Sequence, residues 1–133
     1  MNICVFASGK GSNFLSILNA IKKKELSSEV VAFVTDRKSC GAELIAKENN
    51  IKTFSFNAPD LITSLKNLNV NFIVLAGFLK KLDGNFINEF QNNIDKKIIN
   101  IHPALLPSYG GAGMYGMNIH KAVISNKEKY SGI

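Results

Sequence analysis

The chain has 133 residues, 46% of them hydrophobic and 20% charged, with a formal net charge of +6. That length and balance predict one globular domain over residues 1–133, and exclude a disordered chain or two ordinary domains. No apolar run approaches the ~20 residues of a membrane helix, and MNICVFASGKGSN lacks a cationic leader, so the expected location is the cytoplasm.

The positive charge is nearly all lysine, Arg37 being the only arginine. A coding bias toward A and T accounts for this without a basic-tract partner, so no nucleic-acid partner is expected. A mild positive field suits phosphorylated or polycarboxylate small molecules. Cys4 and Cys40 match no metal or redox spacing and read as unpaired thiols.

In chain order, Asn2 to Ala7 is a short apolar run of the kind buried on both faces of a parallel sheet. Ser8 to Asn13 is a glycine-rich loop. Phe14 to Lys24 places Phe14, Leu15, Leu18 and Ile21 on one helical face. Glu29 to Thr35 reads as a second strand, Gly41 to Asn50 as a helix, and Ile51 to Phe56 as a short peripheral strand. A helix start at Asn57 to Asp60, with Pro59 near its first turn, leads to Leu61, Leu65 and Leu68. Asn71 to Gly77 is the most strand-like run, Asp83 to Asn92 a helix, and Lys97 to His102 a fifth strand. From Gly110 to Gly116 the chain is glycine-rich, and Met117 to Asn126 reads as a helix. This alternation predicts an α/β, Rossmann-like open sheet, mainly parallel, with helices on both faces. Tyr130 to Ile133 reads as the start of a further strand, so the fold reads as C-terminally incomplete.

Three stretches carry chemistry. The loop Ser8-Gly-Lys-Gly-Ser-Asn13 lets backbone amides approach a ligand at a helix N-terminus, where an anion fits; a tight turn with an N-cap is the bland reading. The dinucleotide fingerprint GxGxxG aligns Gly9 and Gly11 but places Phe14 at its third glycine, although Asp36 stands where a ribose-contacting acid would. The P-loop pattern is absent, and a mononucleotide-sized phosphate fits better. The segment Ala76 to Leu82 follows the strongest strand with an apolar and cationic loop, suited to an aromatic heterocycle with an acidic tail or simply to an ordinary turn. Finally, Asn100 and His102 stand two apart in INIHPALLP, on one face of a strand that Pro103 and Pro107 end. An amide and an imidazole there serve either a structural pair or an acyl-transfer site. His120 reads as structural or peripheral, and Met114 and Tyr115 as cover over a site. Nothing supports a metal site or a Ser/His/Asp triad.

With SGKGSN, VLAGF (Val74 to Phe78), INIHPALLP (Ile99 to Pro107) and YGGAGMYG (Tyr109 to Gly116) in hand, the chain resembles the folate-dependent phosphoribosylglycinamide formyltransferases of purine biosynthesis, from Met1 to its last residue. The resemblance implies that Gly11, Ser12 and Asn13 hold the substrate phosphate. It places Leu79, Lys80, Lys81 and Leu82 against the folate, Asn100 on the folate and the formyl oxygen, and His102 as the catalytic acid. The co-substrate it implies is 10-formyltetrahydrofolate, with no metal, and the partner is glycinamide ribonucleotide; the protein would be a monomer or homodimer.

Three departures follow. Lys80 replaces the family's usual arginine, leaving a point charge in place of a planar fork, and an arginine commonly found before the helix near Pro59 has no equivalent. The aspartate that tunes the histidine would fall beyond Ile133, so His102 is expected to be less basic and the chain's activity very low. The implied mechanism is direct attack of the substrate amine on the formyl carbon through a tetrahedral intermediate. The alternatives are another formyl-folate enzyme, such as formyltetrahydrofolate deformylase or methionyl-tRNA formyltransferase, and an inactive Rossmann-like binding fragment.

Overall fold

Short runs of branched and aromatic residues, each closed by a turn, become strands, and the amphipathic stretches between them become helices. A computed structural model describes residues 1–91 and 97–133. In it the chain forms β1 (Asn2–Phe6), α1 (Ser12–Lys22), β2 (Glu29–Thr35), α2 (Gly41–Glu48), β3 (Lys52–Ser55), α3 (Leu61–Asn67), β4 (Phe72–Leu75), α4 (Gly84–Gln91), β5 (Lys97–Asn100) and α5 (Met117–Ser125). These elements divide into two compact units, Met1–Asn100 and Ile101–Ile133.

In the first unit, β1 pairs in parallel with β2 and β4, β2 with β3, and β4 with β5, giving the order β3-β2-β1-β4-β5 among the described residues. Parallel neighbours need crossovers, and the intervening helices provide them. Side chains alternate across the sheet. Cys4, Phe6, Ala32, Val34 and Ile73 form one core with Leu61 and Leu65 of α3 and Phe86 and Phe90 of α4. Phe33, between Ala32 and Val34, faces the other way and stacks on Phe14 of α1, with ring centroids 5.2 Å apart. Helices therefore cover both faces, as the apolar runs require. Phe6 anchors an aromatic cluster with Phe56, Phe78 and Phe86, at centroid distances of 6.4, 5.3 and 5.7 Å. Cys4 and Cys40 are free thiols, and burial pushes the Cys4 pKa up.

The second unit carries α5 and a small core of Ala104, Tyr109 and Ile119, against which Met114, Ala122 and Val123 pack. All three tyrosines, Tyr109, Tyr115 and Tyr130, belong to this unit, whereas all nine phenylalanines belong to the first. Among the described residues no helix is long and apolar enough to cross a membrane.

Two boundaries differ from the sequence reading in ways that matter. Helix α1 starts at Ser12, two residues before Phe14, because Gly11 takes a left-handed conformation (φ 83°) that turns the loop directly into the helix. Strand β5 ends at Asn100, not His102. Its partner β4 ends opposite, at Leu75, and the chain then turns at Gly77 (φ 74°), so no ladder remains for Ile101 and His102. The expectation that Asn100 and His102 share one strand face is thus corrected: Asn100 is the last residue of the strand and His102 lies beyond it. Of the expected helix Asp83 to Asn92, the last residue lies outside the described residues.

Candidate active site

The sheet winds outward from β1 to β3 and then reverses, with β4 on the other side of β1. In open α/β sheets the crevice beyond the carboxyl ends at such a reversal is where ligands bind. Here that edge is built from the loops after β1 and β4. Ser8 follows β1 and is 1% exposed. Its N–H donates to Gly77 O at 3.2 Å, and its Oγ accepts the N–H of Leu79 at 3.1 Å. The same Oγ donates to Oδ1 of Asp36, after β2, at 2.5 Å. This link was not legible from the sequence, where Ser8 was only the first residue of a glycine-rich loop.

Gly11, Ser12 and Asn13 stand together at the start of α1. No side chain caps the helix and no acidic residue occupies its first turn, so the first-turn amides face outward beside exposed Ser12 and Asn13. The loop is seated on α2. Gly9 O accepts the N–H of Ala42 at 3.0 Å, and a Cβ on Gly11 would come within 2.8 Å of Ala42 Cα. Gly41 is equally confined, with Lys10 O 2.9 Å from where its Cβ would be. Phe14, at the position of the dinucleotide fingerprint's third glycine, is fully buried against Phe33. Asp36 is engaged by Ser8. Both observations weigh against that alternative.

Beyond β4, Lys80, Lys81 and Leu82 line a cleft of about 360 Å³ whose walls also include Phe78, Ile98 and Asn100. Four of the predicted residues are thereby brought to one place: two cations, an apolar contact and a side-chain amide. Leu79 does not line it; its amide is tied to Ser8 and the residue is 45% exposed. The volume lies in the ~300–1,000 Å³ range of small-molecule sites. A second cleft, of about 470 Å³, lies beyond β2 and β3, lined among others by Asp36, Arg37, Thr53 and Phe54.

In the second unit, His102 Nε2 lies 2.7 Å from the carbonyl oxygen of Tyr109. A carbonyl only accepts, so Nε2 carries the hydrogen and Nδ1 is the nitrogen open to a second proton. Tyr109 is itself fixed: its hydroxyl donates to Glu128 Oε1 at 2.6 Å and accepts from Asn126 Nδ2 at 3.1 Å. The Glu128 carboxylate raises the Tyr109 pKa, while the Asn126 amide opposes the shift. The sequence reading missed this network, whose members are spread from Tyr109 to Glu128. In the glycine-rich segment, Gly111, Gly113 and Gly116 all have positive φ, and Tyr115 is 54% exposed. His120 is exposed on α5.

Comparison with known proteins identifies relatives of the chain and of its fold. The chain is 40% identical to a chloroplastic phosphoribosylglycinamide formyltransferase of Vigna unguiculata, over 98% of this chain and 44% of that protein. It is 37% identical to the Arabidopsis thaliana protein of the same name, over 98% of this chain and 47% of that one. The chain thus spans about half the length of the curated relatives it matches. A crystal structure of phosphoribosylglycinamide formyltransferase from Bacillus halodurans superposes with a TM-score of 0.83 at 24% identity, covering 98% of this chain and 68% of that one, and so shares the fold. The family model described as formyl transferase matches residues 1–133 throughout. The chain belongs to the formyl transferase family.

Proposed function

We propose that this chain is the N-terminal part, one domain over residues 1–133, of a phosphoribosylglycinamide formyltransferase. In this reading it moves the formyl group of 10-formyltetrahydrofolate to the amine of 5'-phosphoribosylglycinamide in cytoplasmic purine biosynthesis, as a monomer or homodimer. The observation that carries the reading is the cleft in which Lys80, Lys81, Leu82 and Phe78 meet Asn100. Its residues fit a reduced folate: Phe78 and Leu82 suit a heterocycle, and the two lysines suit the carboxylates of a glutamate tail. The folate would supply an activated formyl carbon. Support for the second substrate comes from α1, whose uncapped N-terminus and Gly11-Ser12-Asn13 suit a phosphate.

Asn100 would donate its side-chain amide to the oxygen on which negative charge develops, a contribution of ~10²–10³ in rate for one such donor. His102, once doubly protonated, would add a charged donor or deliver a proton from Nδ1, since Nε2 is held by Tyr109. A positioned acid contributes ~10²–10⁴. Both subsites lie within the first unit, and neither needs a metal.

The test is formyl transfer from 10-formyltetrahydrofolate to glycinamide ribonucleotide, followed by the folate absorbance change, alongside thermal unfolding with saturating ribonucleotide. Expected are transfer that saturates in both substrates and a rise in Tm. A folded chain that gives neither overturns the proposal.

A further inference from the structure

Three loops leave the carboxyl edge of the sheet side by side, and one buried hydroxyl joins them. A serine hydroxyl has one proton and two lone pairs. The Asp36 carboxylate only accepts, so the 2.5 Å contact fixes the proton of Ser8 on Asp36, at the length of a charge-assisted bond. With its proton so engaged, Ser8 Oγ has a lone pair left for the Leu79 N–H, 3.1 Å away. The order of donation is therefore determined along the whole link, from Leu79 to Ser8 to Asp36. Ser8 N–H, donating to Gly77 O, ties the same two loops a second time.

Either side of this link lies a segment read above as a substrate subsite. Ser8 opens the loop that ends in Gly11, Ser12 and Asn13, and Leu79 opens the segment that ends in Lys80, Lys81 and Leu82. Ser8 itself is 1% exposed and does not line the cleft at Asn100, so it acts through other residues. We propose that Ser8, oriented by Asp36, is a positioning residue that holds the phosphate-type loop and the segment Leu79–Leu82 in one register, so that both ligand subsites depend on one hydroxyl. This rests on the reading of those segments as ligand subsites. Asp36 then has a task unlike that of a ribose-binding acid: it sets the direction of a hydrogen bond.

The test compares the full chain with Ser8→Ala, Asp36→Asn and Asp36→Ala. Three quantities are measured: amide exchange at Leu79 by NMR, affinity for glycinamide ribonucleotide, and affinity for 10-formyltetrahydrofolate, each ligand alone. Loss of one buried hydrogen bond predicts that Ser8→Ala weakens each ligand by about three- to tenfold, with exchange at Leu79 faster by about tenfold or more. Asp36→Asn keeps an accepting oxygen and should stay within about twofold of wild type, whereas Asp36→Ala should match Ser8→Ala. A purely structural bond would lower Tm and leave both affinities unchanged, and that result overturns the proposal. So does an Asp36→Asn chain as impaired as Asp36→Ala. If Ser8→Ala does not fold, the two Asp36 variants decide. A wild-type chain that binds neither ligand overturns the functional reading, and the subsite role of Ser8 with it. Ligand binding retained with unchanged Leu79 exchange in Ser8→Ala overturns the positioning role alone.

Discussion

Residue type and the prolines behind them single out Asn100 and His102, and their chemistry can be tested one side chain at a time. If they supply the oxyanion donor and the acid, Asn100→Ala and His102→Ala should each lower kcat by at least ~10²-fold in the formyl-transfer assay; near-normal rates would refute the assigned roles. Tyr109, which holds His102 through its carbonyl, offers an independent reading. Its hydroxyl donates to Glu128, which raises its pKa, so the neutral form is favoured in the folded chain. The sign follows: this contribution to stability is present below the ordinary phenol value of ~10 and is lost as pH rises through the raised value. Glu128→Ala should move the tyrosinate absorbance titration of Tyr109 downward, and an unmoved titration would contradict the hydrogen bond. Of these residues the sequence displayed the reactive groups but not their supports. Glu128 and Ser8 are ordinary surface-type residues until the fold brings a partner 19 or 28 positions away.

At the level of elements, strands were legible wherever a short apolar run was bounded by turn residues, and β2 was read to its ends. What escaped was where a strand loses its neighbour. β5 stops at Asn100 because β4 stops at Leu75, a fact of pairing that no local pattern in INIHP encodes. The α1 start was misplaced for a related reason, since the left-handed turn at Gly11 is dictated by the approach of α2. That approach makes Gly11 irreplaceable. A left-handed residue with a side chain costs ~1–2 kcal/mol, and the added Cβ would also overlap Ala42 Cα at 2.8 Å. Gly11→Ala should therefore lower unfolding free energy by at least that ~1–2 kcal/mol, read from the denaturant midpoint. It should also abolish protection by ribonucleotide. Gly84, around whose Cβ position there is open space, provides the control: Gly84→Ala should leave protection intact.

For the whole molecule, the parallel sheet and its two helical layers follow from the alternation of runs, and the family from four motifs between Ser8 and Gly116, with the family model matching residues 1–133. The net charge of +6, carried almost wholly by lysine, predicts a general field more than a binding motif. Association with a phosphorylated substrate should slow as ionic strength rises from ~0.01 M to ~0.15 M, where the screening length falls from ~30 to ~8 Å. Stopped-flow binding at several salt concentrations checks this, and a salt-independent association rate would remove the field from the account.

The partition of aromatic residues makes the two units optically distinct. With no tryptophan in the chain and every tyrosine between Tyr109 and Tyr130, light absorbed in the tyrosine band is absorbed by the second unit alone. The sheet, carrying only phenylalanine, is silent there and speaks through the far-ultraviolet signal of its backbone. Tyr109, with its hydroxyl on a carboxylate, is placed to be the dim emitter among the three and to brighten when Glu128 lets go. An ordinary fluorimeter can thus follow the histidine-bearing unit by itself, without a label, while far-ultraviolet circular dichroism follows the backbone of the sheet together with that of all the helices.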